Sequence, residues 1–429
     1  MSNEIKRDAY LSRLIDKKEN GLIKVITGIR RCGKSYLLFN LYHDYLISQG
    51  IKEEQIIQIP LDDDQFVQYR NPDELSQYIR NRIVNKDMYY IFIDEVQYAI
   101  SKKEIRNPED IKLYNVLNGL MRLRNVDIYV TGSNSKMLSS DVRTAFRGRG
   151  DELEVHPLSF REYYEFVGGD KLEAYNEYAM YGGMPLAVLK KKENEKVKYL
   201  QGLFEETYFK DITERYEIEL ADVLEELTDE LFSAVGSLTN ATKIANTLQS
   251  VKKIDVSSTT ISTYLGYLTE SFLFKKARRY DVKGKKYFEY PYKFYANDIG
   301  LRNARLNFRQ QEETHIMENI VYNELICRDY TVDVGVVDIS ERKNKKLVKK
   351  QCEIDFIVNI GSKRYYIQSA FNVSDPDKMA TEIRPLKNTN DFFKKIIITK
   401  SSMKPWNDED GILHLGLYDF LLNENSLDL

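Results

Sequence analysis

Residues 27–35 read TGIRRCGKS, and this short stretch decides the fold of the N-terminal part of the chain. From Gly28 to Ser35 it matches the phosphate-loop pattern Gly-x-x-x-x-Gly-Lys-Ser. It follows an apolar, β-branched run at 22–27 and precedes apolar residues at helical spacing. Because a chance match would rarely stand between a strand and a helix, the sequence predicts a nucleotide-binding loop.

The residue types of this loop suit the binding of ATP together with Mg²⁺. Glycine lets backbone N–H groups close around phosphates, and the positive end of the following helix adds to the attraction. We expect Lys34 to reach the β- and γ-phosphates and Ser35 to bind the metal ion. Cys32 is interpreted as a small residue that the loop tolerates rather than as a redox switch. The predicted nucleotide-binding residues are Gly28, Ile29, Arg30, Arg31, Cys32, Gly33, Lys34, Ser35 and Tyr36.

A second motif, YYIFIDE at 89–95, is an apolar run that ends in two carboxylates. We expect Asp94 to hold Mg²⁺ through water and Glu95 to act as the general base that polarises the attacking water. The alternative is a surface acidic pair at the end of a strand. The loop upstream favours the catalytic interpretation.

Polar residues after the next strand-like run, VDIYVTGS at 126–133, are candidates for sensing the γ-phosphate. Asn134 or Ser133 would take this role, with a simple turn as the alternative. Arg147 and Arg149 precede a fifth strand-like run at 152–159. Either arginine is a candidate finger for the γ-phosphate, in the same chain or in a neighbouring subunit, and a solvated turn is the alternative.

The strand-like runs alternate with helical stretches at 72–85, 109–124 and about 159–167. Such alternation predicts an α/β fold with a parallel sheet and helices on both faces. With 429 residues, 42% of them hydrophobic, the chain should form two to four globular domains. The net charge of −3 argues against a bulk nucleic-acid binder, so any such surface must be local.

Cellular location is also constrained by composition. Three cysteines, odd in number and far apart in the chain, suit unpaired thiols in a reducing cytosol. The N-terminus lacks a secretory signal, and no apolar run is long enough to span a bilayer. We therefore expect a cytoplasmic protein without a membrane partner.

The motifs GIRRCGKS, IFIDEVQ and VTGSNSKML, with the stretch from RGRG to HPLSFREYYEF, together resemble AAA-type ATPases of archaea and bacteria. Those ATPases carry a conserved C-terminal domain of unknown function and are similar to replication-initiator and STAND ATPases. The resemblance implies ATP hydrolysis to ADP and phosphate. It also implies that Pro185, in the sequence YGGMPLA at 181–187, contacts the adenine from a helical lid.

Four domains are expected from this pattern. They are a P-loop ATPase core at 1–160, a helical lid at 161–228, a winged-helix domain at 229–305 and a nuclease-like domain at 306–429. The segment 275–293 has eight basic and two acidic residues with interleaved tyrosines, which suits a nucleic-acid backbone. Winged helices also dock proteins, so a protein client is the alternative.

The C-terminal domain of the resembling family is similar to nucleases of the PD-(D/E)XK fold. In this chain the helix offers Glu318 or Glu324 and the next strand offers Asp355. Gln368 and Ala370 stand where such a nuclease has Glu and Lys. Because glutamine binds Mg²⁺ poorly and alanine has no charge, we expect the fold without the cleavage, and an active nuclease with displaced groups is the alternative.

The leading functional hypothesis is a molecular switch that binds and hydrolyses ATP with Mg²⁺. The second is a nucleic-acid-binding module that ATP gates, with the basic wing 275–293 as its surface. An arginine finger from a neighbouring subunit would require a homo-oligomer, whereas a finger in the same chain would permit a monomer.

Overall fold

A computed structural model describes residues 4–101, 103–104, 111–133, 149–310, 312–343, 346–371, 375–401 and 403–429. The chain divides into two compact units. The first unit contains Met1–Pro157 with Glu270–Phe272, and the second contains Leu158–Thr269 with Leu273–Leu429. None of the helices in the described ranges has the length and apolar character that spanning a bilayer requires.

The first unit is built on a five-stranded parallel sheet, which confirms the predicted α/β fold class. Its strands are β1 (Ile23–Thr27), β2 (Ile56–Pro60), β3 (Tyr89–Asp94), β4 (Val126–Thr131) and β5 (Gly150–Glu154). Across the sheet their order is β2-β3-β4-β1-β5. Every residue of β1 and of β3 is buried, as expected for central strands covered by helices on both faces.

The helices of the first unit are amphipathic and bury their apolar faces. They are α1 (Asp8–Lys17), α2 (34–48, with a π-helical turn at Leu37–Tyr42), α3 (Pro72–Arg82) and α4 (Lys112–Leu120). Helix α3 begins with Asn71 as its cap and Pro72 in its first turn, a combination that favours a helix start. Leu75 and Ile79 of α3 pack in the same core as Leu113 and Leu117 of α4.

The second unit begins with helices. They are α5 (Phe160–Val167), α6 (Lys171–Tyr181), α7 (Pro185–Val188), α8 (193–215, with a π-helical segment at Leu203–Phe209), α9 (Ala221–Ser233), α10 (Ala241–Thr247) and α11 (Ser258–Glu270). They continue with α12 (Ile299–Arg305), α13 (Glu313–Cys327), α14 (Pro376–Lys387) and α15 (Leu417–Leu422). The buried residues of α11 are Ile261, Tyr264, Leu265 and Leu268, and they recur at helical spacing.

Three short strands accompany α9, α10 and α11. They are β6 (Leu238–Thr239), β7 (Phe274–Ala277) and β10 (Tyr292–Ala296), and they form an antiparallel sheet in the order β6-β10-β7. Along the chain these elements follow one another as helix, strand, helix, helix and strand, and β10 comes after the hairpin of two further strands at Arg279–Asp281 and Lys286–Tyr287.

A mixed eight-stranded sheet forms the C-terminal part of the second unit. Its strands are β8 (Arg279–Asp281), β9 (Lys286–Tyr287), β11 (Thr331–Lys343), β12 (Lys346–Ile360), β13 (Lys363–Ala370), β14 (Lys394–Thr399), β15 (Trp406–Asn407) and β16 (Leu413–Gly416). Their order is β15-β16-β14-β13-β12-β11-β8-β9. The hairpin β8–β9, expected to project as a wing, pairs in parallel with β11 and so extends this sheet.

Candidate nucleotide site

The strand order brings three polar strand ends together at one edge of the first sheet. Strand β4 lies between β1 and β3 and pairs with both. In parallel strands the carboxyl ends meet at the same edge, where α/β proteins bind ligands. The loop after β1, the carboxylates after β3 and Ser133 after β4 are therefore neighbours.

The phosphate loop depends on two glycines with left-handed backbone angles. Gly28 has φ 137°, and a Cβ atom there would lie 2.1 Å from the carbonyl oxygen of Val155. Gly33 has φ 100° and stands directly before the first residue of α2. Neither position accepts a side chain without strain, which explains both glycines of the motif.

Lys34 is buried, and its ammonium lies against the loop itself. Nζ donates to the carbonyl oxygens of Gly28 at 2.9 Å and Ile29 at 3.1 Å. Arg7, which lies outside the motif, stabilises the loop, because its guanidinium donates to the carbonyl oxygens of Cys32 at 3.0 Å and His156 at 2.8 Å. These contacts fix the curvature of the loop and hold a cation over it.

The remaining side chains of the loop point in different directions. Cys32 is fully buried and its thiol lies 3.2 Å from the carbonyl oxygen of Val155. Burial raises the pKa of this thiol, so it is not the reactive thiolate of a redox switch. Arg31 is exposed with φ 63°, and the hydroxyl of Tyr36 donates to Glu4 at 2.8 Å.

Asp94 and Ser35 form an oxygen-rich pair beneath the loop. Asp94 is 4% exposed, and it accepts hydrogen bonds from the hydroxyls of Thr131 and Ser35. Burial, with the charge of Glu95 adding to it, raises the pKa of Asp94 to about 6, against the opposing effect of these hydrogen bonds. Hydroxyl and carboxylate oxygens are ligands that Mg²⁺ prefers, so this pair fits the predicted metal ion.

Glu95 is held in a defined and strained conformation. Its φ of 51° is left-handed, and its backbone N–H donates to the hydroxyl of Thr131 at 3.0 Å. The side-chain amide of Gln97 donates to the Glu95 carboxylate and lies 3.4 Å from the hydroxyl of Ser133. Arg30 also donates to that hydroxyl, at 3.1 Å. A chain of polar contacts thus joins the loop, the strand end after β4 and Glu95.

Of the remaining candidates Asn134, Arg147 and Arg149, the structure describes only Arg149. Asn134 and Arg147 lie outside the described residues. Arg149 is exposed, and its carbonyl oxygen accepts a hydrogen bond from Ile23 at the start of β1. The phosphate loop follows the other end of β1, about 16 Å away at ~3.3 Å per residue. This placement argues against a finger to the site of the same chain, and it leaves a solvated turn and a finger supplied to a neighbouring subunit as the alternatives for Arg149.

Pro185 lies in the second unit as the first residue of α7. Of the two glycines that precede it, Gly183 donates its backbone N–H to the Asp298 carboxylate at 2.7 Å, and the N–H of Leu301 donates to the same carboxylate at 2.9 Å. A Cβ atom on Gly182 would lie 2.4 Å from the Asp298 carboxylate. Packing within the second unit therefore explains the double glycine, and the adenine contact of Pro185 stays a prediction.

The expected nuclease-like residues come together in part. The amide oxygen of Gln368 lies 3.3 Å from the backbone nitrogen of Asp355. Glu324 is directed elsewhere, since it pairs with Arg328 at 2.7 Å, and Ala370 is buried in an apolar cluster. Glu318 accepts from Lys293 at 2.9 Å.

Lys293 was expected on the basic wing, and this expectation is corrected. Its side chain is buried, because it pairs with Glu318 and, at 2.6 Å, with Glu353. Burial acts to lower the pKa of Lys293, but the charges of Glu318, Asp355 and Glu353 outweigh it and raise the pKa. Burial and the Glu318 charge raise the pKa of Asp355 well above its usual value. In the described ranges, no three acidic, cysteine or histidine side chains are arranged as a metal site.

Several residues of the nucleotide site carried no signal that sequence reasoning used. Gln97 follows the acidic pair at a short spacing and could have been suspected from the DEVQ run. Thr131 ends a strand that was recognised. Arg7 is separated from Cys32 by 25 positions, and nothing local to it indicates that contact.

Comparison with known proteins agrees with this geometry. The family model described as an AAA domain matches residues 20–164. A second model, for a domain of unknown function (DUF8612), matches residues 172–312. A Walker-type ATPase of Pyrococcus abyssi has a similar structure, with a TM-score of 0.50 and 15% identity, over 71% of this chain and 96% of that one. At that identity the likeness concerns the fold.

Two relatives match over nearly the whole chain. An uncharacterized protein of Haemophilus influenzae is 34% identical over 424 residues, which is 97% of this chain and 98% of that protein. An uncharacterized protein of Methanocaldococcus jannaschii is 28% identical over 425 residues, 94% of this chain and 86% of that protein. Both matches include the N-terminal and the C-terminal parts.

Proposed function

This chain belongs to the same family as the Haemophilus influenzae protein and carries an AAA domain, and we propose that it is a molecular switch that binds and hydrolyses ATP with Mg²⁺. The observation that supports it most strongly is the convergence of Lys34, the Ser35–Asp94 pair and Glu95 at one sheet edge.

The residues divide the chemistry as follows. Backbone N–H groups from Gly28 to Gly33 bind the phosphates, and Lys34 turns its ammonium from the loop carbonyls to the phosphate oxygens. Ser35 and Asp94 would hold Mg²⁺, which neutralises charge on the phosphates when bound. Glu95 accepts a proton from the attacking water, and Ser133, which is linked to the Glu95 carboxylate through the Gln97 amide, senses the γ-phosphate.

The test is phosphate release by the purified full-length chain. Glu95→Gln should lower turnover about 100- to 10,000-fold and leave ATP binding intact, because it removes only the base. Lys34→Ala should lower binding itself. If the wild type releases no more phosphate than Glu95→Gln at any Mg²⁺ concentration, hydrolysis is not its activity. ATP binding without phosphate release would instead support the second hypothesis, in which bound ATP controls nucleic-acid binding and is not hydrolysed.

For the second unit we propose a winged helix at 229–305 and a nuclease-like C-terminal domain that does not cut. Lys293 supplies to Glu318 and Glu353 the positive charge that a metal ion would otherwise bring. Incubation with plasmid and Mg²⁺ or Mn²⁺ should leave the plasmid intact. Nicking that Asp355→Ala abolishes would instead support an active nuclease with displaced groups.

We propose nucleic acid, a protein client and further copies of this chain as partners of the switch. The nucleic-acid partner is favoured by the cations and exposed aromatic side chains between 275 and 293, apart from the buried Lys293. Retention of a labelled oligonucleotide that falls with salt would support it, and unchanged mobility at low salt would exclude it. The cytoplasmic location stays a prediction from the sequence.

A further inference from the structure

A surface cavity of about 600 Å³ lies in the second unit, far along the chain from the nucleotide site. Its lining residues come from the turn between β8 and β9, from the turn between β12 and β13, and from the segment before β14. Its volume falls within the range of ~300–1,000 Å³ that is usual for sites of small ligands. We call it the basic pocket.

The pocket carries a local excess of positive charge. Lys283, Lys285, Lys363 and Arg364 line it, against the single carboxylate of Asp391. That carboxylate already accepts a hydrogen bond from the hydroxyl of Tyr366 at 2.6 Å. Four cations against one anion is notable in a chain whose net charge is −3, so the pocket attracts anions that the molecule as a whole does not.

Most of these cations can still bind a ligand. Lys283 uses one of its three donors on the carbonyl oxygen of Asp338, at 2.8 Å. Lys363 pairs with Asp428 at 2.8 Å, but both side chains are about half exposed and such surface pairs are weak. Lys285 is exposed on the turn itself.

Aromatic rings stand beside the cations. Phe393 lines the pocket and is 41% exposed, and the adjacent Phe392 is entirely exposed. The guanidinium of Arg364 lies over the Phe393 ring at 5.1 Å and over the Tyr280 ring at 5.6 Å. Cations next to exposed aromatic faces are the combination with which proteins bind the phosphates and bases of single strands.

The path of the chain explains why these groups meet here. Because β8 pairs with β11, the turn between β8 and β9 is carried to the edge of the C-terminal sheet. Other cations of the same segment are engaged elsewhere, such as Arg278 over the ring of Tyr287 at 3.9 Å. The basic segment therefore divides into a part that packs and a part that lines the pocket.

We propose that the basic pocket binds one nucleotide of a single-stranded nucleic acid, with a phosphate on Lys283, Lys285 and Lys363 and a base against Phe392 or Phe393. This assignment rests on the nucleic-acid partner proposed above and names its site. It does not depend on ATP hydrolysis.

The experiment is the anisotropy of a fluorescent oligothymidine with the full-length chain, without ATP, over a series of salt concentrations. Lys283→Ala with Lys285→Ala should raise the Kd about tenfold and lower the salt slope by about two. Lys191→Ala with Lys198→Ala is the matched control, since it removes equal charge from exposed positions outside both the pocket and the segment 275–293, and it should change neither the Kd nor the salt slope. Phe393→Ala should weaken binding about fivefold or more through lost stacking.

The outcomes separate this assignment from the broader proposal. If the wild type binds no oligonucleotide at low salt, both fail. If it binds but the Lys283/Lys285 double variant binds equally well, only the pocket is wrong. Polyglutamate or tripolyphosphate could compete as well as unlabelled oligothymidine, and Phe393→Ala could have no effect. These two results together would mean that the pocket binds any polyanion and does not bind a base, which would overturn the assignment.

Discussion

Gln97 orients Glu95, and its substitution should change turnover more than binding. Its amide donates to the Glu95 carboxylate and reaches toward Ser133, so it limits the directions in which the base can point. We expect Gln97→Ala to lower kcat about tenfold, a part of the 100- to 10,000-fold that a general base contributes, with ATP affinity unchanged. Steady-state phosphate release and a separate binding measurement would test this.

Gln55→Ala is the matched control for Gln97. Gln55 lies just before β2, at the edge of the sheet away from the phosphate loop, where its side chain donates to the carbonyl oxygen of Met88 at 2.9 Å and accepts from the N–H of Lys52 at 3.0 Å. It should leave kcat unchanged. A Gln97→Ala variant with weaker ATP binding and an unaltered kcat would contradict a positioning role.

Asp298 makes stability depend on pH. Burial raises its pKa from 3.8 to about 6, against three backbone N–H donors that oppose the shift. The folded state therefore holds the proton more tightly than the unfolded state, and this contribution to stability is lost as pH rises from about 4 through about 6. Over the whole shift the unfolding free energy falls by about 3 kcal/mol, and roughly 1 kcal/mol of this loss occurs between about pH 5 and about pH 7.

The measurement compares urea unfolding of wild type and Asp298→Asn at these two pH values. Asn cannot accept from both Gly183 and Leu301, so the variant is less stable at either pH. The difference in unfolding free energy should shrink by about 1 kcal/mol at the higher pH, because only the wild type titrates there. A difference independent of pH would contradict the raised pKa.

Single residues were predictable where a motif fixes their neighbours along the chain. Lys34 and Asp94 follow from local patterns, because Lys34 ends the loop that follows a buried strand and Asp94 is the last residue of another buried strand. Lys293 did not, since its basic, tyrosine-rich neighbourhood indicates a surface. Its burial depends on Glu318 and Glu353, which lie 25 and 60 positions later.

Among the elements, β1 and β4 are joined by a buried ion pair whose loss should be costly. Lys24 is fully buried against Asp127, which also accepts from the hydroxyl of Tyr129 at 2.8 Å and the N–H of Glu19 at 2.9 Å. We expect Lys24→Met to lower the unfolding free energy by about 3–5 kcal/mol, because it leaves a buried charge unpaired. Denaturant titration would measure it.

The double variant Lys24→Met with Asp127→Leu tests whether the unpaired charge is the cause. Replacing both partners by apolar residues removes the charge, so most of the lost stability should return. Equal destabilisation in the single and double variants would mean instead that the ion pair itself stabilises the sheet.

Sequence patterns located the elements better than their pairing. Strand β3 was predicted at 89–94 and occupies Tyr89–Asp94, because a short β-branched run can be recognised alone. The run at 152–159 was placed too late, since β5 begins at Gly150 and ends before Pro157, which has no N–H for the ladder. The pairing of β8 with β11 was not predictable, because neither strand has a side-chain pattern that identifies the other as its partner.

At the scale of the whole molecule, Arg149 connects the nucleotide site to oligomeric state. It is exposed at the amino-terminal edge of the sheet, whereas the phosphate loop of the same chain lies at the carboxyl-terminal edge. If Arg149 is a finger, it serves the site of a neighbouring copy. Arg149→Ala should then lower turnover about a thousandfold or more while each chain still binds ATP. Mass measurement with and without ATP should detect the larger assembly.

Mixing two inactive variants distinguishes this arrangement from a finger within one chain. In assemblies of Arg149→Ala with Glu95→Gln, the second supplies Arg149 to the intact Glu95 of the first. Such pairings occupy about a quarter of the sites, so about a quarter of wild-type turnover should return. Glu95→Gln mixed with Lys34→Ala is the control, because every chain then has a defective site whatever its neighbour provides. If the first mixture stays as inactive as the control, Arg149 does not act between subunits, and full activity of Arg149→Ala alone would remove it from the mechanism.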